Sequence, residues 1–331
     1  MYPFWKFLPA GLAHQLGPLG ISLYSSLNGG PTPNWKSFQW RGLTFPNRLG
    51  IAGGVDKNAD LLLQWPRIGV GFSEVGTITP RPQRPNPGKI VDRDWEHKNL
   101  WNKMGFPNIG CKEIKLNLEN ALEYKSTPWF LNIGKNRTTP NDCVAQDCLE
   151  IISHLHHLGD AFVLNVSSPN TLGLRALQSR EHLEKLTSQI VAHLKSKPLL
   201  IKLSPDLTTE ELEQSLEGGV QGGASGFILT NTTLRRPANC PFPKEGGLSG
   251  ADLKNQSMHI LKESLQILGS RRKDLLMISA GGVMTPSDVE ERLAIGSDLV
   301  QIYSAMVFEG PQFFHQVAEK MNADFLQKRS T

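Results

Sequence analysis

Short apolar segments recur along the chain after residue 48, and each is five to eight residues long. They are rich in Val, Ile, Leu and Phe. Such runs are too short for buried helices but typical of parallel strands that are covered on both faces. The segments are Leu49–Gly53, Phe72–Thr79, Trp129–Gly134, Ala161–Val166, Pro198–Ser204, Gly226–Thr230, Leu275–Ala280 and Leu299–Ser304. The pattern therefore predicts eight buried parallel strands.

Stretches with helical periodicity separate several of these segments. Thr209–Leu216 has its leucines on one face, and Thr285 followed by Pro286 is a typical helix start. Eight strands that alternate with helices predict an α/β protein, a closed (β/α)8 TIM barrel, and the alternative is an open doubly wound sheet. The eight units and the Gly281-Gly282 turn after the seventh strand favour the barrel.

The first 40 residues have a different pattern and are predicted to form a helical extension, residues 1–40, before a barrel of residues 41–331. Apolar residues recur at every fourth position, and two more add apolar surface: Phe4, Trp5, Leu8, Leu12, Leu16 and Leu19. One interpretation is a helix packed on the barrel. The other is an interfacial hairpin of two short helices, in which Pro9 opens the second.

Composition and charge exclude several classes of protein. The chain has 331 residues and a formal charge of +4, which is too small to indicate nucleic-acid binding. No apolar run approaches the roughly 18 residues of a membrane span. The four cysteines, Cys111, Cys143, Cys148 and Cys240, have neither CxxC nor zinc spacing. They predict reduced thiols in a cytosolic compartment, and no metal site is expected.

Two long connections, Pro80–Asn108 and Thr232–Leu253, follow predicted strands and are expected to be functional. Polar side chains also collect where the strands end, as they do in barrel enzymes. They are Asp56, Lys57, Thr77, Asn132, Lys135, Asn165, Ser167, Ser168, Asn170, Lys202, Thr230, Asn231, Thr232, Tyr303 and Ser304.

This set is rich in Asn and Lys and has no His. Its only acid, Asp56, is expected to be a structural partner rather than a base. Carboxamides match both edges of a cyclic ureide, and lysine neutralises a carboxylate. Glycines after the seventh strand favour a phosphate site there. The residues therefore predict a planar, anionic, amide-bearing ligand.

Several segments together identify a family. GIAGGVDKNAD, LWNKMGFPNIG, LNVSSPNTLGLRALQ, ILTNTTL and GGLSG occur in this order. With them the chain resembles dihydroorotate dehydrogenase from about residue 10 to about residue 320. It resembles more narrowly the class 2, quinone-dependent, membrane-associated type, because Ser168 stands where class 1 enzymes carry Cys.

The resemblance implies an FMN enzyme that oxidises (S)-dihydroorotate to orotate in pyrimidine (UMP) biosynthesis and reduces a membrane quinone. Ser168 is then the catalytic base. FMN is expected to contact Gly53, Gly54, Val55, Asp56, Lys57, Thr77, Asn132, Asn165, Lys202, Thr230, Gly250, Gly282, Tyr303 and Ser304. The substrate is expected to contact Lys57, Asn102, Lys103, Met104, Gly105, Phe106, Asn165, Asn170, Asn231 and Thr232.

The resemblance also implies a monomer bound peripherally at the cytoplasmic face of the inner membrane, with N-terminal helices that frame a quinone tunnel. The segment Phe45-Pro46-Asn47-Arg48 departs from the family, which often has a basic residue directly after the Phe. No residue is therefore assigned as a quinone ligand, although Tyr303 is a candidate for the tunnel lining.

Two other functions are open to this sequence. A soluble flavoenzyme of the same fold could use fumarate or NAD, but Ser168 and the N-terminal extension disfavour it. A membrane-surface barrel could bind a phosphate ligand without turnover. Binding FMN alone does not require the full set that speaks against this function: Lys57, Asn102, Asn165, Ser168 and Asn231.

Overall fold

The computed structural model describes residues 4–171 and 173–327, without the side chains of Phe4 and of residues 324–327. The apolar contact predicted for Phe4 thus lies outside the described residues. The strands, in chain order, are β1 Phe38–Trp40, β2 Leu43–Phe45, β3 Leu49–Asp56, β4 Phe72–Ile78, β5 Val91–Asp94, β6 Asn99–Asn102, β7 Trp129–Ile133, β8 Ala161–Asn165, β9 Leu199–Leu203, β10 Gly226–Leu229, β11 Gly247–Gly250, β12 Leu276–Ala280 and β13 Leu299–Ile302.

The helices alternate with the barrel strands over most of the chain. They are α1 Ala10–Asn28, α2 Gln64–Arg67, α3 Cys111–Leu122, α4 Val144–Leu155, α5 Arg180–Leu194, α6 Thr209–Gln221, α7 Lys254–Leu268, α8 Pro286–Ile295, α9 Ser304–Phe308 and α10 Phe313–Gln327. Short 3₁₀ helices occur at Phe4–Phe7, Asn141–Cys143, Leu174–Gln178, Ala251–Leu253 and Gly269–Asp274.

Eight of the strands form a closed parallel barrel. Around it the order is β3, β4, β7, β8, β9, β10, β12 and β13, and β13 pairs with β3 to close the ring. Each predicted apolar segment overlaps one of these strands, and β3 extends three residues beyond its segment, to Asp56. The (β/α)8 barrel is therefore confirmed, and the open sheet is excluded.

The amino-terminal end of the barrel, which we call the floor, is plugged by aromatic rings. Phe45 lies 5.8 Å from Phe72 and 6.1 Å from Phe130, measured between ring centroids. The antiparallel hairpin of β1 and β2 packs against this plug through Phe38 and Trp40. Since the three plug rings are fully buried, the floor is the apolar end of the barrel core.

A small antiparallel sheet covers part of the opposite end, which we call the mouth. Strand β6 pairs with both β5 and β11, and Leu248 lies opposite Trp101. The sheet is built from both long connections, so the two segments that were expected to be functional meet at the carboxyl ends of the barrel strands.

The N-terminal extension lies beside the barrel as one long helix, α1, which contacts β5. Pro9 directly precedes α1, as predicted, whereas the first of the two predicted helices is only the 3₁₀ turn Phe4–Phe7. Leucines of α1 remain between 43% and 74% exposed: Leu12, Leu16, Leu19, Leu23 and Leu27. Within the described residues, no helix combines the length and apolarity that crossing a membrane requires.

Candidate active site

A cleft that opens to solvent lies at the mouth of the barrel. Most of the predicted contact residues line it: Gly53, Gly54, Lys57, Thr77, Asn102, Met104, Gly105, Phe106, Asn165, Ser168, Asn170, Lys202, Thr230, Asn231, Thr232, Gly282, Tyr303 and Ser304. The structure thus brings into one cleft side chains that are far apart in the sequence.

Five predicted contact residues are not on the wall of this cleft: Val55, Asp56, Lys103, Asn132 and Gly250. The Asp56 carboxylate accepts the Trp65 indole N–H at 3.0 Å and the backbone N–H of Leu61 at 3.0 Å, so its expected structural role is what the geometry shows. Lys103 Nζ donates to Glu245 Oε2 at 2.8 Å at the surface. Because these two side chains are already engaged elsewhere, they are weaker candidates for ligand contact.

A buried ion pair lies beneath the cleft and joins two barrel strands. Lys202 Nζ on β9 donates to both carboxylate oxygens of Glu74 on β4, at 3.1 and 3.0 Å. Asn132 Nδ2 also donates to Glu74, which places Asn132 below the wall. The sequence analysis missed Glu74 when it named Asp56 the only acid of the site. The available signal was a carboxylate within an otherwise apolar strand segment.

Ser168 follows β8, is only 5% exposed, and lines the cleft together with several carboxamides. Its Oγ accepts the backbone N–H of Asn170 at 3.2 Å, and Asn170 Nδ2 donates to Asn102 Oδ1 at 2.8 Å. Nearby, Asn231 Nδ2 donates to Asn165 Oδ1 at 3.3 Å. Each carboxamide carries two donors and an acceptor, so the group has capacity left for a ligand with both kinds of edge.

Arg175 connects the Ser168 loop to its two neighbours. Its Nε donates to the Ser167 carbonyl at 3.0 Å, Nη1 to Asp206 Oδ2 at 2.7 Å, and Nη2 to the Thr232 carbonyl at 2.9 Å. One guanidinium therefore ties together the loops after β8, β9 and β10. Hydrogen bonds from a charged donor are roughly twice as strong as neutral ones. The Arg175 guanidinium therefore fixes Ser167, and with it the adjacent Ser168, relative to Thr232.

Lys57 meets the N-terminal helix at the edge of the cleft. Its Nζ donates to the Gly54 carbonyl at 2.8 Å and lies 3.4 Å from His14 Nε2 on α1. Burial lowers the pKa of Lys57 to about 8, and burial with the Lys57 charge lowers the pKa of His14 to about 4. His14 is therefore neutral at pH 7. The sequence analysis missed His14, because helical periodicity does not say which strand end the helix meets.

The segment Phe45-Pro46-Asn47-Arg48, which departs from the family pattern, does not bring its arginine to the cleft, but a second arginine, Arg93, lies beside α1. Arg48 lies before β3, where its side chain donates to the Lys36 and Asp298 carbonyls at 2.9 and 3.4 Å. It therefore lies at the floor, away from the cleft. Arg93 on β5 instead donates to the Leu8 carbonyl at 2.6 Å, beside the start of α1. Arg93 was not predicted, because no local motif marks it.

The Gly281-Gly282 turn follows β12, the seventh strand of the barrel. Both residues have positive φ, +100° and +70°, which side-chain-bearing residues rarely adopt. A Cβ on Gly282 would lie 2.3 Å from the backbone of Lys254. Glycine is thus required for the turn to pass between α7 and the cleft, at the place where barrels commonly bind phosphate.

Comparison with known proteins supports the resemblance found in the sequence. The family model for dihydroorotate dehydrogenase matches residues 37–325. A dihydroorotate dehydrogenase (quinone) of Thermus thermophilus is 43% identical over 82% of this chain and 78% of that protein. The protein of the same name from Gloeobacter violaceus is 37% identical over 92% of this chain and 86% of its own. The crystal structure of DHODH from Eimeria tenella in complex with ferulenol has a TM-score of 0.86 at 30% identity, covering 97% of this chain and 93% of that one.

Proposed function

The chain belongs to the dihydroorotate dehydrogenase family, and on that premise we propose that it oxidises dihydroorotate to orotate in pyrimidine biosynthesis and passes the electrons to a membrane quinone. The observation that carries the proposal is that Ser168, Lys57 and a group of asparagines line one cleft. The quinone in the names of the relatives supports the acceptor.

The cleft suits FMN as its cofactor. Gln301 lines it from β13, is fully buried, and neither polar atom of its amide has a hydrogen-bond partner among the described residues. An unpaired buried polar group costs about 1–3 kcal/mol, so a polar ligand is expected to satisfy it. Lys202 would lie near the flavin ring, and Gly282, Tyr303 and Ser304 would hold the phosphate. When bound, FMN supplies a hydride acceptor for substrate oxidation and a donor of electrons to the quinone.

Ser168 is the base in this proposal, and its Oγ takes up the proton that leaves C5 of dihydroorotate. A serine hydroxyl is a weak base at neutral pH, so neighbouring donors must favour its deprotonated form. The Asn170 N–H, 3.2 Å from Oγ, is such a donor. The deprotonated fraction grows with pH, and substrate oxidation is therefore expected to accelerate as pH rises.

Lys57 and the asparagines position the substrate. The Lys57 ammonium binds the dihydroorotate carboxylate, and the amides of Asn102, Asn170 and Asn231 hold the ureide edge. Fixing the ring at both ends aligns C5 with Ser168 and lowers the barrier by avoiding entropy loss in the reaction itself.

The quinone reaches the site beside α1. His14 on α1 contacts Lys57, and Tyr303 lines the same side of the cleft, 3.4 Å from the position a Cβ would take on Gly54. The exposed leucines of α1 give a surface for peripheral, reversible attachment to the cytoplasmic face of the cell membrane. The protein acts as a monomer in this proposal.

Anaerobic spectroscopy of the purified protein tests the proposed function. Oxidised flavin should bleach when dihydroorotate is added, and its colour should return with a quinone but not with fumarate or NAD. Recovery with fumarate or NAD would assign the protein to the soluble type. A flavin that dihydroorotate never bleaches would contradict the substrate, and a protein without affinity for FMN would contradict the cofactor.

A further inference from the structure

Arg292 lies behind the Gly281-Gly282 turn and takes no part in the proposed reaction. It is on α8 and is 0% exposed. Its Nη1 donates to Ser279 Oγ at 2.8 Å, and Nη2 donates to the Gly281 carbonyl at 2.7 Å and to Ser257 Oγ at 2.9 Å. Its Nε has no hydrogen-bond partner among the described residues. The guanidinium is thus buried among neutral acceptors.

The charge of Arg292 is not directly paired with an acid. Burial lowers its pKa to about 10, so it remains charged at neutral pH. The negative charges of Asp288 and Glu291 act in the opposite direction and raise the pKa of Arg292. Their carboxylates, however, bind Lys254 Nζ, at 2.6 and 3.0 Å. In the described part of the chain, no carboxylate oxygen lies within 4.0 Å of the Arg292 guanidinium. Since burying a charge costs several kcal/mol unless it is compensated, the site is short of an anion.

The backbone on the cleft side of the turn has donors that such an anion could use. The N–H groups of Met284 and Thr285 are occupied by the Asp288 carboxylate at 2.8 Å. The next two N–H groups toward the strand, those of Gly282 and Val283, have no acceptor among the described residues. Both residues line the cleft. Arg292 holds the Gly281 carbonyl on the far side of the turn, which keeps these two N–H groups available.

We propose that Arg292 is a positioning residue for the phosphate of FMN. Its hydrogen bond to the Gly281 carbonyl fixes the turn, and its buried charge attracts the phosphate dianion through the turn. The consequence is selectivity for FMN over riboflavin, which has the same ring and no phosphate. The inference rests on the proposed use of FMN, and it deepens that proposal by assigning a role to a residue outside the cleft.

Equilibrium dialysis tests this role without measuring activity. The full-length protein is first stripped of its own flavin and is then dialysed against FMN or against riboflavin. We expect Arg292→Gln to weaken FMN binding by about tenfold or more and to leave riboflavin binding nearly unchanged. Arg292→Lys, which retains the charge, should keep most of the preference for FMN. Arg272→Gln is the matched control, because Arg272 pairs with Asp298 at 3.1 Å near the floor and should affect neither flavin.

An equal loss of affinity for both flavins in Arg292→Gln would show a structural role only and would overturn the proposal, as would unchanged binding of FMN. If Arg292→Gln does not fold, Arg292→Lys decides: a folded protein that has lost its preference for FMN contradicts the charge effect. A wild type that binds neither flavin would instead refute the proposed cofactor, and the role of Arg292 would fall with it.

Discussion

The floor and the mouth of the barrel are built from the same eight strands but from opposite kinds of side chain. At the floor, Phe72 and Phe130 pack ring against ring, and both are fully buried. At the mouth, the same two strands and β9 carry Glu74, Asn132 and Lys202 into the core. On β7 only one residue separates the aromatic ring of Phe130 from the carboxamide of Asn132.

The two ends differ in what they contribute. Burying a phenylalanine stabilises the fold by about 1.5–3 kcal/mol. A buried ion pair such as Lys202 with Glu74 is often no more stable than apolar residues of the same volume, because desolvation offsets the attraction. Stability therefore does not explain the polar mouth. The comparison indicates that β4 and β7 support the fold at their amino ends and carry polar residues of the candidate site toward their carboxyl ends.

The largest expected effect comes from the mouth. Replacing Ser168 by Ala removes the proposed base, and turnover of dihydroorotate with quinone should fall by about a thousandfold. The visible spectrum should still show bound flavin, since Ser168 holds the substrate proton rather than the cofactor. Turnover near that of the wild type would refute the assignment of the base.

A matched substitution at the floor should lower the stability of the fold and leave turnover unchanged. Phe130→Ala leaves a cavity in the aromatic plug and should lower the free energy of unfolding by about 3–5 kcal/mol. Turnover per flavin-loaded molecule should stay close to that of the wild type. Urea denaturation measures the first quantity, and Tyr124→Ala, at a position 65% exposed, is the control. Unchanged stability would contradict the role of the floor.

Lys57→Met tests whether a charged side chain at the mouth binds the substrate. Losing the ammonium should raise KM for dihydroorotate by at least about tenfold. The pKa of Lys57 is lowered to about 8, so its charge is lost as pH rises past that value. KM of the wild type should therefore increase above pH 8, and KM of Lys57→Met should not respond there.

Lys103→Met is the control for that experiment, because Lys103 pairs with Glu245 away from the cleft wall. It should leave KM and its pH dependence unchanged. A tenfold increase of KM in this variant would restore Lys103 as a substrate contact.

The smallest effect concerns α1, which lies beside the mouth. Leu19 is 68% exposed, and Leu19→Glu should weaken binding to anionic lipid vesicles by about tenfold through lost apolar contact. Leu116→Glu is the control, since Leu116 is 51% exposed but lies on α3. Vesicle sedimentation compares the two, and equal losses would argue against a specific membrane face on α1.

The barrel could be predicted from the sequence because its strands are short, predominantly apolar runs that recur along the chain. The helix start at Thr285 was also predicted, and the structure confirms it: Thr285 is the N-cap of α8 and forms a capping box worth about 1 kcal/mol. The one-turn 3₁₀ helix Phe4–Phe7 was not predicted. Helix type in so short a segment depends on packing against the barrel rather than on periodicity.

The candidate site was predictable where residues follow strand ends directly, as Ser168 and Asn231 do. It was not predictable for an acid within an apolar run or for a side chain that comes from another layer. Glu74 lies inside an apolar run, and His14 reaches Lys57 only because α1 docks against the mouth. Such contacts depend on tertiary packing, which has no periodicity in the sequence.

The separation of the two ends is tested most directly by the rate constant for flavin reduction by dihydroorotate. It is measured by anaerobic stopped flow and expressed per flavin-loaded molecule. The account predicts a rate constant close to that of the wild type for Phe130→Ala and about a thousandfold lower for Ser168→Ala. It would be contradicted if both variants slowed together, or if Ser168→Ala reduced its flavin at the wild-type rate.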